Sequence, residues 1–93
     1  MSVSSNDVRA LLTKWCDSQQ ELYVVFFEPR GMQALTGKVT GVGDSAATVS
    51  DSVVKLRLPI GEPMDAFFTF RSGAVHSVTI TWPDGTCAFV VSR

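Results

Sequence analysis

In a short chain, chemistry is carried by imidazoles, thiols, carboxylates and cations, and here they are sparse and scattered. His76 is the only histidine. It stands in phase with Val78, Ile80 and Trp82 in a β-branched stretch, which directs it towards a packed side. A general base needs a nucleophile and an orienting acid beside it, and spacing offers neither. Cys16 and Cys87 lie far apart and outside any CxxC pattern, so both read as reduced thiols that pack. Two thiols and one imidazole fall short of the roughly four ligands of a structural zinc site. Asp44, Asp51, Asp65 and Asp84 accompany turn-forming residues, where carboxylates cap local amides. Gly41-Val42-Gly43 is a lone GxG with no helix behind it, which does not make a nucleotide loop. The cations remain. Lys38, Lys55 and Arg57 occupy outward strand phases, and Arg30 and Arg71 sit in or beside turns. On neighbouring strands they would form a small positive stripe able to meet phosphates. No catalytic, cofactor-binding or metal-binding set is expected, and the chain reads as a non-enzyme.

Composition sets the frame for those residues. Ninety-three residues suffice for one domain spanning 1–93. Hydrophobic residues make up 45% and charged residues only 18%, a balance that opposes disorder. Eight basic and nine acidic side chains leave a net charge of −1, which excludes a generally basic nucleic-acid binder. No apolar run approaches the roughly 18 residues of a membrane helix. The first seven residues are not a signal peptide, so the cytoplasm is the expected compartment.

The elements follow from periodicity. Val8, Leu11, Leu12, Trp15 and Cys16 recur at helical spacing and predict a helix over 5–19. Ser4 with Asp7 fits a capping box at its start. After Glu21 the chain turns to β-branched and aromatic residues, punctuated every few positions, which predicts about seven strands. Leu22–Glu28 is continuously apolar. Gln33–Val42 carries Leu35 and Val39 on one face and Thr36, Lys38 and Thr40 on the other, with glycines that permit sharp coiling. Ala46–Ser50 follows. Val53–Leu58 alternates, with Val54, Leu56 and Leu58 inward. Asp65–Arg71, Val75–Trp82 and Thr86–Ser92 complete the set, the last two joined by a Trp82-Pro83-Asp84-Gly85-Thr86 hairpin turn.

A helix followed by a bent meander with a glycine-studded second strand resembles an Sm-like domain. The likeness centres on Leu35-Thr36-Gly37-Lys38-Val39-Thr40-Gly41-Val42-Gly43-Asp44 and then Val49-Ser50-Asp51, within residues 5–58. It implies a ring oligomer built by strand addition that binds single-stranded RNA at its inner rim. The chain departs from that pattern where the family places a base-stacking side chain and a base-reading asparagine, since Ala47 and Thr48 stand there. The arginine-glycine pair of the second Sm motif has only a loose echo in Arg71-Ser72-Gly73.

The expected fold is therefore mainly β, with an N-terminal helix and a strongly bent antiparallel sheet closing into a small Sm-like or SH3-like barrel. Three strands (Leu22–Phe27, Ala66–Phe70 and Cys87–Val91) are apolar in both phases, which implies cover on both faces. One helix cannot supply it. The expected function is thus a small interaction module acting through self-association or protein binding, by strand edges or an apolar sheet face. Phe26, Phe68, Phe70, Trp82 and Phe89 are its expected core or interface residues. The alternative is RNA binding through Lys38, Lys55, Arg57 and Arg71.

Overall fold

The Ser4 hydroxyl accepts the Asp7 amide at 3.2 Å while the Asp7 carboxylate accepts the Ser4 amide at 3.0 Å. This reciprocal cap opens helix α1, Ser5–Asp17. The helix stops two residues short of the predicted end. Gln19 adopts φ 57°, and the amides of Gln19 and Gln20 turn back to the carbonyls of Cys16 and Trp15. That is a Schellman ending, with glutamine where glycine is usual. Val8, Leu11, Leu12 and Trp15 are buried.

The computed structural model describes residues 2–61 and 63–93. Eight strands flank and follow the helix: β1 Ser2–Val3, β2 Glu21–Glu28, β3 Gly31–Val42, β4 Ala46–Ser50, β5 Lys55–Pro59, β6 Asp65–Arg71, β7 Ala74–Thr81 and β8 Cys87–Ser92. The two-residue β1 is the addition to the seven predicted. All pairings are antiparallel, in the order β1-β6-β7-β8-β2-β3-β4-β5. The described pairings leave β1 and β5 as the two ends of one bent sheet, so hydrogen bonding does not close it.

The bend is made in β3. Lys38 pairs with Glu21 of β2 and with Ser50 of β4, so the strand changes neighbours there. A Cβ on the adjacent Gly37 would lie 2.3 Å from the Ser50 carbonyl oxygen, and only glycine admits that approach. A bulge between Val39 and Gly41 adds coil. The concave face carries Leu22, Val24, Leu35, Val49, Leu58, Val78, Ile80 and Val90, and α1 packs into it chiefly against β3. Arg9 ties the helix to the β3–β4 turn by donating to the Asp44 carbonyl.

Two expectations need correction. Val53 and Val54 lie outside β5 and are exposed, because the Asp51 carboxylate takes both their amides at 2.7 Å and folds them into a loop. Strands β2, β6 and β8 are covered on one face only. Leu22, Val24 and Phe26 are buried while Tyr23 and Phe27 on the alternate phase are exposed and Val25 is half-buried, and Phe67 and Phe89 are likewise exposed.

Candidate interaction face

Directly paired residues of antiparallel strands project from the same side of a sheet, so the register defines the convex face. One row runs Met32, Phe27, Cys87, Thr81 and Asp65 across β3, β2, β8, β7 and β6. The next runs Ala34, Val25, Phe89, Thr79 and Phe67, and the third runs Thr36, Tyr23, Val91, Ser77 and Thr69. Tyr23, Phe27, Met32, Phe67 and Phe89 are between 39% and 63% exposed. Polar groups in these rows are small hydroxyls, and two satisfy each other, Thr69 Oγ1 with Ser77 Oγ. Asp65, at a corner, is the only charge.

Fully exposed aromatic side chains present about 200 Å² each, so these five leave roughly 470 Å² of exposed side-chain surface on one face. Scattered single residues need no explanation, but a patch of this size matches the largest one on a typical monomer, which is often functional.

Beyond the bend, the same convex side is polar. Lys38, Ser50 and Lys55 form one row over β3, β4 and β5, and Arg57 follows beside Thr48. Three of the four predicted cationic positions therefore share a face. Arg71 does not join them: it ends β6, with β7, β8 and β2 between it and β3. Ala47, at the position compared with a base-stacking side chain, points into the core and is 1% exposed.

The five predicted aromatic positions divide. Phe26 and Phe68 are buried in the core, and Trp82 is half-buried against it. Phe89 lies in the middle of the convex rows. Phe70 is exposed and stays on the phase of Phe68, its ring centroid 6.4 Å away. Sequence reasoning missed Tyr23, Phe27, Met32 and Phe67. The signal was present for Phe67, whose phase also holds Asp65, Thr69 and Arg71, a polar set that belongs outside.

His76 is half-buried beside the β6–β7 irregularity, with Ser92 Oγ 3.4 Å from its Nδ1. Cys16 is half-buried on α1, and Cys87 is half-buried in the first convex row. Asp51 and Asp84 do cap turn amides, and those hydrogen bonds hold both carboxyls below their ordinary value. Among the described residues no group of three or more His, Cys, Asp or Glu side chains is placed to hold a metal ion. No described helix is long and apolar enough to cross a membrane.

Compared with known proteins, the chain matches no family model, no curated sequence and no solved structure.

Proposed function

We propose that this protein is a small β interaction module that pairs with a second copy of itself through the convex apolar face. The observation that carries the reading is the run of five exposed Tyr, Phe and Met side chains in register over β3, β2, β8 and β6. A face without central charge is complementary to itself, as a two-fold contact requires. Two copies would bury about 1,000 Å², the lower bound for a specific interface. Micromolar association is the corresponding expectation.

Strand edges support the reading by default. The β5 edge is short and carries Lys55, Arg57 and Pro59, and the β1 edge has two residues. Short, charged and proline-bearing edges resist strand addition. Light scattering over a wide concentration range tests the proposal, with mass rising from monomer to dimer. A monomer at all concentrations would overturn it.

The second reading is a nucleic-acid interface of Sm-like type, favoured by Lys38, Lys55 and Arg57 on one face. Three phosphate contacts would give weak, strongly salt-dependent binding, and the exposed aromatic rings lie on other strands. A closed ring of several copies in solution would favour this second reading over the first.

A further inference from the structure

The concave face of the sheet continues past the core into an open mouth. Beyond Phe26 and Leu56 lies a cavity of about 600 Å³, walled also by Trp82 and by Pro59, Pro63 and Pro83. This is within the range of ligand sites, about 300–1,000 Å³. A second cavity of about 410 Å³ shares Pro63, Trp82 and Pro83 and is bordered by Asp65. Trp82 thus borders both cavities. The hairpin turn positions it: its own amide donates to the Thr86 carbonyl at 2.9 Å and the Gly85 amide to its carbonyl at 3.1 Å. Phe26 backs the indole with ring centroids 5.9 Å apart.

Three features define what fits. The first cavity is mostly apolar and prolines border both, so ordering the rim on binding costs little. Trp82, on the border of both, is half-buried, so part of its ring stays open to a ligand. Glu28 and Asp84 line the first cavity and Asp65 the second, against one cation, Arg57. The one ion pair among the described residues is Arg93 with Glu21, so none of these carboxylates is engaged in an ion pair there.

We propose that the groove binds an extended apolar peptide segment bearing basic side chains, presented by a partner protein. Two adjoining cavities suit a chain segment better than one compact metabolite. Aromatic-walled grooves accept polyproline-type segments, whose conformation is preformed. The peptide's basic side chains meet the carboxylates and the indole face. This goes beyond self-association and centres on the end of the sheet around Trp82, meeting the convex rows only at their Thr81–Asp65 corner.

The test is fluorescence anisotropy of the full chain with a short labelled peptide of alternating proline and leucine flanked by arginines. Saturable binding at roughly 10–500 μM is expected, and at least about tenfold weaker binding when glutamates replace the arginines. Glu28→Lys, at an exposed strand end, should weaken binding about tenfold with an unchanged melting temperature. Phe89→Asp, which disables the convex face, should bind the peptide as the native chain does, so the outcome is separable from that of self-association. Equal affinity for the two peptides, no saturation below about 1 mM, or native affinity in Glu28→Lys would each overturn the proposal.

Discussion

Phe89→Asp places a carboxylate at the centre of the convex face and offers the sharpest test of self-association. Phe89 is 39% exposed, so about 80 Å² of its ring remains available for burial by a partner. In a two-fold dimer the loss occurs twice. At about 25 cal/mol per Å², roughly 160 Å² corresponds to about 4 kcal/mol. That is a dissociation constant raised about a thousandfold, before the added cost of desolvating two carboxylates. Sedimentation velocity across the concentrations at which the native chain dimerises reads the effect, with thermal melts confirming that the variant folds. Phe67→Asp, in the same row, should act alike. Val53→Asp is the control: Val53 is 86% exposed but lies in the β4–β5 loop, off the convex rows. Unaltered dimerisation in both row variants, or equal weakening by Val53→Asp, would refute the reasoning.

Other outcomes follow from the same geometry. Gly37→Ala forces a methyl group against the Ser50 carbonyl, which backbone pairing holds in place; the expected destabilisation of about 3 kcal/mol lowers the melting temperature of a domain this size by at least about 12 °C in calorimetry. Asp51 and Asp84 are held below their ordinary value of 3.8, so their contribution is complete above about pH 5 and fades as pH falls through their lowered values. Asp51→Asn and Asp84→Asn should therefore flatten the acid limb of a melting-temperature profile, whereas a limb as steep as the native one would count against those caps. Cys87 lies in the convex rows and Cys16 on the helix, so alkylation of Cys87 should slow as protein concentration rises while that of Cys16 stays constant, read by peptide mass spectrometry.

The helix and the strands were legible because each is written in local spacing. Ser4 and Asp7 stand three apart, and the Val8, Leu11, Leu12 and Trp15 stripe has one helical solution. The Gln19 ending was not legible, since glutamine gives no sign of the left-handed region it adopts. Apolar character in both phases of β2 and β8 told that two faces existed but not which would be buried. The inward choice depends on the bend at Gly37 and on where α1 lands, and these are long-range events. Val53 and Val54 read as strand because the carboxylate that withdraws their amides, Asp51, lies outside the alternating pattern. The Trp82 groove left no pattern in the sequence: the chain announces a turn at residues 82–86, while the opposite walls come from the ends of β2 and β5.

The sheet presents aromatic rows on its convex side and opens the Trp82 groove at one end. A pair of chains joined back to back would therefore hold two separate mouths. A ligand with tandem basic-apolar segments on a linker long enough to span them would gain avidity of about a hundredfold or more over a single segment, with no new contact formed. Dilution would abolish that gain before it weakened either individual grip, making the oligomeric equilibrium a dial on partner choice.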